Sequence, residues 1–270
     1  MKPNIFLSRK TFFSATRRLQ VDGWNEDQNR AAFGKACQLH GHDYIVEVFY
    51  AGNVSDDDGM IINIMDVKAL LATMTAHFDG HYLNDLPDFK SQLPTLENLV
   101  NSLWSYLPGA LGNGQLDRLR LEESRRLNII KTNNTMHLTR SYDFCAAHRL
   151  HAPHLPASEN EQRYGKCGNP AGHGHNYKLD VTLEGEPNPQ TGQLVALPEL
   201  DQLVEETIID RFDHKHLNED CAEFKHLIPT SENFAKVIFD LLNPLLDSPH
   251  SHLAKVGLHE TYKNYFEVER

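Results

Sequence analysis

His40-Gly41-His42-Asp43-Tyr44 returns 133 residues later as His173-Gly174-His175-Asn176-Tyr177, and this pair of pentapeptides organises the whole chain. Working outward, Phe13-Ser-Ala-Thr-Arg-Arg-Leu19 matches Phe144-Cys-Ala-Ala-His-Arg-Leu150 at an offset of 131. Phe78-Asp79 matches Phe212-Asp213 at 134, Pro94-Thr-Leu-Glu-Asn98 matches Pro229-Thr-Ser-Glu-Asn233 at 135, and Glu122-Glu-Ser124 matches His259-Glu-Thr261 at 137. Blocks that keep their order while the offset creeps upward are the mark of a duplication with small insertions in the second copy. The 270 residues therefore divide at the polar stretch 131–136, into copies spanning residues 1–133 and 134–270, each long enough to bury its own core.

Within each copy the periodicity is the same. Residues 6–19 and 137–150, then 43–50 and 176–183, carry aromatic and β-branched residues in rough alternation, which predicts two strands of a long hairpin. A helix is predicted over residues 65–77 and, with Leu200, Leu203, Val204 and Ile208 at helical spacing, over 198–212. A second helix starts at Thr95 or Thr230, each followed two residues later by Glu in the manner of an N-terminal cap. Two strands close each copy, at 118–123 and 127–131, then at 255–261 and 265–269. The order β-β-α-α-β-β, twice, predicts an α+β fold in which an antiparallel sheet carries its helices on one face.

Hydrophobic residues make up 40% of the chain and charged residues 23%, a globular composition and not a disordered or collagen-like one. The net charge of −11 argues against a broad electrostatic grip on nucleic acid or an anionic membrane, while leaving room for a local basic pocket. Cys37, Cys145, Cys167 and Cys221 form no Cys-x-x-Cys pair, so a reduced, cytoplasmic protein is expected. Lys2, Arg9 and Lys10 interrupt the N-terminus before a signal-peptide run can form, and no later stretch approaches 18 apolar residues, so no membrane is expected.

The chemistry concentrates in the second copy, which holds twelve of the sixteen histidines. His173 and His175 alternate along a strand and so project to one face, where two ligands of a single metal can arise. A hairpin would bring His148 alongside, and three imidazoles with an open fourth position is the arrangement of a catalytic zinc. The pair alone is a weak signal, and two solvent-facing histidines are the commoner reading of it. Cys167, in the loop Gly-Lys-Cys-Gly-Asn-Pro beside Lys166, is a candidate base or nucleophile, against the alternative of an inert thiol. Asp213-His214 is an acid–imidazole pair suited to proton transfer, and Glu260 could accept paired hydrogen bonds from an amidine-like edge, though a lone surface glutamate is commoner.

Taken together, Phe144-x-x-x-His148-Arg-Leu, Gly165-Lys-Cys167-Gly-Asn-Pro-Ala-Gly-His173-Gly-His175-Asn-Tyr, Phe212-Asp213-His214-Lys-x-Leu-Asn218, Pro229-Thr-x-Glu232-Asn and Glu260-Thr261 resemble the 6-pyruvoyltetrahydropterin synthase / 6-carboxytetrahydropterin synthase family. The resemblance runs in order through residues 137–270. It implies two tandem tunnelling-fold (T-fold) units and a lyase acting on 7,8-dihydroneopterin triphosphate with loss of triphosphate. It further implies zinc on His148, His173 and His175, proton transfer by Cys167, Asp213 and His214, and a pterin pocket lined by Glu260, Thr230 and Glu232. The five residues between Cys167 and His173 resemble the pyruvoyl-type members more than the carboxy-type. Candidates for holding the triphosphate are Arg149, Lys166 and Lys263.

The first copy departs from this pattern. Arg17 stands where His148 does, Ala36 where Cys167 does (Cys37 is one residue displaced), and Gly80 where His214 does. The first copy is therefore expected neither to bind zinc nor to catalyse, and to serve assembly, since four-stranded units with open edges need neighbours and a homo-oligomer follows. Two alternatives stand beside the synthase reading: a non-catalytic pterin-binding or regulatory protein, and another T-fold enzyme such as a cyclohydrolase or aldolase.

Overall fold

The computed structural model describes residues 5–270. They form two compact units, one reaching to Thr139 and taking in Glu184–Glu199, the other made of Arg140–Leu183 with Leu200–Arg270.

In the first unit, strand β1 (Ile5–Arg17) leads through helix α1 (Glu26–Phe33) to β2 (His40–Gly52), followed by helices α2 (Ile64–Ala76) and α3 (Leu96–Ser105). A two-residue β3 (Ala110–Leu111) and strands β4 (Gly114–Ser124) and β5 (Leu127–Lys131) complete it. The sheet runs β1-β2-β4-β5, antiparallel throughout, with β3 on β4. Alternation along β1 and β2 turns Phe13 and Tyr44 inward, where their rings stack 5.0 Å apart and Phe78 lies 5.7 Å from Phe13. All three are almost wholly buried, each contributing roughly 1.5–3 kcal/mol of hydrophobic stabilisation. The same register sets Arg17 opposite His40 and Ala15 opposite His42.

The second unit repeats the plan with β6 (Met136–His148), α4 (Ala157–Tyr164), β7 (His173–Gly185), α5 (Leu197–Val204), α6 (Asp210–Phe212), β8 (Lys215–His216), α7 (Leu217–Asp220), α8 (Ser231–Leu242), β9 (Ser251–His259) and β10 (Tyr265–Glu269). Its sheet order is β6-β7-β9-β10, with β8 parallel to β6. Phe144 and Tyr177 stack at 5.3 Å, as their counterparts do, and Phe212 and Phe234 close the cluster at 5.0 Å. These rings form the floor beneath His175, two residues from Tyr177.

The α+β, doubly repeated order is as the periodicity predicts. Thr95 and Thr230 do cap their helices, each accepting from the backbone N–H three residues on. Helices α1 and α4 are additions within the hairpin connections. Both are short and polar: α1 is held by reciprocal bonds between Asn25 and Gln28, and α4 buries only Asn160, so neither shows an apolar stripe. The offset between copies grows from 133 at Asn63/Ala196 to 134 at Phe78/Phe212, and the extra residue is absorbed as a π turn, Glu205–Ile209, between α5 and α6.

Candidate metal and proton-transfer site

His148 ends β6, and His173 and His175 begin β7, so the sheet itself gathers three imidazoles. Their ring centroids lie 4.5, 4.9 and 5.1 Å apart. His148 Nδ1 donates to the Pro229 carbonyl at 2.7 Å, which fixes the tautomer and leaves Nε2 as a lone pair 3.1 Å from His173 Nε2. Burial, with the other two imidazoles close by, pushes His148 down to about 4, and burial lowers His173 as well, so both are neutral at ordinary pH. His175 Nε2 is buried without a hydrogen-bond partner, and Glu260 Oε1 is 3.7 Å away. Imidazoles with converging ring nitrogens, one of them orphaned, are a donor set that fits a zinc-like cation. Gly172, at φ +70, is required here: a Cβ would lie 2.7 Å from His216 Nε2 and 3.0 Å from the His148 carbonyl.

Glu260 accepts from Ser231 Oγ at 2.5 Å and from Asn264 Nδ2 at 2.9 Å. Burial alone would raise its carboxyl, but these two bonds and the imidazoles of His175 and His148 hold it below the ordinary carboxylate range. Thr230 is occupied as the cap of α8, and Glu232, in the first turn, is exposed.

Asp213 and His214 sit at a second cluster. Asp213 Oδ2 is 2.9 Å from His214 Nδ1, and Asp213 Oδ1 accepts from the backbone N–H of Cys145 at 2.8 Å. That backbone bond is the main cause holding the Asp213 carboxyl below its usual value. His214 is the one non-glycine residue among those described with positive φ, at 56°, and its counterpart in the first copy is Gly80, at 72°. The thiol within reach of His214 Nε2, at 3.5 Å, is that of Cys145. Cys145 was not singled out by sequence; its position opposite Ser14 was the available signal. Burial and the Asp213 carboxylate push this thiol up. Cys167 is placed elsewhere, on the turn before β7, where its carbonyl accepts from Leu150 N. A cleft of about 540 Å³ is lined by Cys145, Asn176, His214 and Lys215. Of the candidate phosphate ligands, Arg149 lines a separate cleft of about 460 Å³ with His151, His154, Lys225 and His226.

Among the described residues these are the two groups of three metal-competent side chains, and both lie in the second unit. In the first unit Arg17 lies where His148 would. Its Nη1 donates to the Pro94 carbonyl at 3.0 Å, as His148 does to Pro229, while Nη2 pairs with Glu123 and Nε faces His40 Nε2 at 3.5 Å. A buried guanidinium supplies the positive charge that a metal would otherwise bring. Nearby, Leu194 N donates to the buried Glu97 carboxylate at 2.9 Å, and burial pushes that carboxyl up to about 7. In the folded chain it then keeps its proton well above its ordinary 4.5. Stability from this group is full below the ordinary value and is lost as pH rises through about 7, on the order of 3 kcal/mol in all. Thermal melts of Glu97→Gln should be flatter than wild type across that interval; parallel curves would show that Glu97 does not titrate there.

Two tandem antiparallel α+β units, the second carrying a histidine triad beside a hydrogen-bonded glutamate, define a duplicated chain. The sequence profile of the 6-pyruvoyl tetrahydropterin synthase family matches residues 6–132 and again 137–270, and the chain belongs to that family. A 6-pyruvoyl tetrahydrobiopterin synthase of Poecilia reticulata is 43% identical over 128 residues, 47% of this chain and 86% of that protein. The Homo sapiens protein of the same name is 42% identical over 127 residues, with the same coverage. A solved 6-pyruvoyl tetrahydropterin synthase of Caenorhabditis elegans aligns with 50% of this chain and 96% of its own at 38% identity and a TM-score of 0.48. No helix among the described residues is long and apolar enough to cross a membrane.

Proposed function

We propose that the chain is a zinc-dependent lyase converting 7,8-dihydroneopterin triphosphate to 6-pyruvoyltetrahydropterin with loss of triphosphate, at one site per chain, in the second copy. The observation that carries this reading is the convergence of His148, His173 and His175 with Glu260 3.7 Å from His175. Zinc held by the three imidazoles would supply Lewis acidity toward the substrate's side-chain hydroxyls. The rest falls to the chain's own groups. Glu260, ionised and held by Ser231 and Asn264, is shaped to accept paired N–H bonds from the pterin edge. Asp213 orients His214 through Nδ1, leaving Nε2 to take or give a proton on the cleft side. Cys145 is the thiol in reach of His214, and Cys167 the thiol on the turn leading to His173. Arg149, with the histidines and Lys225 of its cleft, offers a phosphate-binding surface.

The pyruvoyl product is favoured over the carboxy product by the five-residue spacer before His173 and by the relatives' names. Incubation with 7,8-dihydroneopterin triphosphate should release triphosphate and a pterin with the mass of the 6-pyruvoyl product. The 6-carboxy mass would move the assignment to the other subtype, and no turnover by the metal-loaded protein would leave a binding protein. Cys145→Ser and Cys167→Ser, assayed separately, should show which thiol carries a proton: that variant loses turnover and keeps its metal.

A further inference from the structure

Cys145, Asp213 and His214 are gathered by a backbone bracket that occurs in both copies. In the second, Cys145 N donates to Asp213 Oδ1 at 2.8 Å and His214 N to the Cys145 carbonyl at 2.7 Å. In the first, Ser14 N donates to Asp79 Oδ1 at 2.9 Å and Gly80 N to the Ser14 carbonyl at 2.7 Å. The bracket belongs to the fold; the side chains mounted on it do not. Where the second copy has a thiol and an imidazole, the first has a glycine and a hydroxyl bonded to Asp43. Asn176, at the position of Asp43, lines the Cys145 cleft as a neutral amide.

Three donors of different chemistry result. Cys145 Sγ lies 3.4 Å from Asp213 Oδ1, 3.6 Å from His214 Nδ1 and 3.5 Å from His214 Nε2, and Asp213 Oδ2 lies 2.9 Å from Nδ1. Around a tetrahedral ion with a bond to sulfur of about 2.3 Å and bonds to nitrogen and oxygen of about 2.0 Å, ligand atoms stand about 3.3–3.6 Å apart. The sulfur distances already have that size. The carboxylate and Nδ1 are closer because they share a proton, and an ion in its place would part them by about 0.4 Å. His214 holds its position at a φ of 56°, a strained conformation for a side-chain-bearing residue and an easy one for Gly80. Its side chain is 80% exposed, so a fourth position opens onto the cleft of about 540 Å³.

We propose that Cys145 Sγ, an Asp213 carboxylate oxygen and His214 Nδ1 form a second metal site, distinct from the histidine triad, for a thiophilic divalent ion of the zinc or cobalt kind. Thiolate and imidazole together select such ions over magnesium or calcium. On binding, Cys145 releases its proton to solvent and ligates as the thiolate, while the Nδ1 proton moves to Nε2 and the imidazole stays neutral. Burial and the Asp213 carboxylate favour the protonated thiol, so the ion must displace that proton. It is therefore exchangeable and leaves when excess metal is removed, unlike an ion on the triad, where no thiol has to ionise. Among the described residues the first unit has no equivalent group. Binding stands on this geometry alone. Its consequence for turnover rests on the lyase reading: an ion on Nδ1 occupies the Asp213–His214 pair, so excess metal inhibits the enzyme.

The test is a cobalt(II) titration of the full chain, zinc-loaded, freed of excess and kept anaerobic. A near-ultraviolet thiolate-to-cobalt charge-transfer band should grow to a limit of one cobalt per chain. Cys145→Ser and His214→Gly put in place the residues that the first copy carries on the same bracket, so the fold accommodates both. Cys145→Ser should abolish the band, His214→Gly should raise the cobalt needed for half of it by at least about tenfold, and Cys167→Ser should leave it unchanged. No band in the wild type, a band that survives Cys145→Ser, one lost in Cys167→Ser, or one indifferent to His214→Gly would each overturn the proposal. Turnover is read separately and should fall in step with the band. A band without that fall upholds the site and contradicts the proton-transfer role given to Asp213 and His214.

Discussion

Replacing His173 by Ala is expected to abolish metal retention in the second copy and to lower turnover of 7,8-dihydroneopterin triphosphate by at least about 10³-fold. The reason is geometric. His148 Nε2 and His173 Nε2 face each other at 3.1 Å, with His175 Nε2 the third, orphaned nitrogen. Two imidazoles beside Glu260 would remain, too few to hold an ion through turnover. The fold should survive, because the floor of Phe144, Tyr177 and Phe234 does not rest on His173. His40→Ala, the equivalent change in the first copy, should alter neither quantity, since Arg17 already carries the charge there. Elemental analysis with product chromatography of both variants checks the pair; equal loss in His40→Ala would mean that both copies work.

Arg17→Met should destabilise the first unit by about 3–5 kcal/mol. Arg17 is buried, its side chain 4% exposed, and it is the partner of Glu123, whose side chain is 9% exposed. Its loss strands that carboxylate, leaves the Pro94 carbonyl without its donor, and removes a positive charge close to Glu97. Arg17→Lys keeps the charge without the planar fork that reaches Glu123 and Pro94 together, and should fall between. Trp24 and Trp104, the two tryptophans of the chain, both belong to the first unit, so denaturant unfolding followed by tryptophan emission reads this effect where it arises. A change below about 1 kcal/mol would show that the Arg17–Glu123 pair contributes little beyond a surface ion pair.

Much of this was legible in the sequence because the repeat doubles every signal. Alternation at His173-Gly-His175 foretells two imidazoles on one face, and the strand end at His148 supplies the third, since a hairpin has few ways to place its termini. Helices α1 and α4 were not legible, because eight-residue polar helices carry no apolar periodicity, and α4 has no side-chain cap to announce its start. The thiol was ambiguous for another reason. Cys167 draws attention by standing in a Gly-rich loop next to Lys166, whereas Cys145 reads as an ordinary strand residue until the turn at His214 folds over it. The seating of residues 188–194 on Thr95 and Glu97 joins positions 97 apart in the chain and leaves no periodic trace, although the glycine at 192 marks it in retrospect.

Arg17 at the position equivalent to His148 ties these strands together, for a buried guanidinium there predicts a first copy without metal. The direct test is the metal content of the full-length protein after zinc loading and removal of excess, measured against chain concentration. About one zinc per chain is expected, and His173→Ala should abolish it. Two zincs per chain, or one that persists in His173→Ala, would contradict the account.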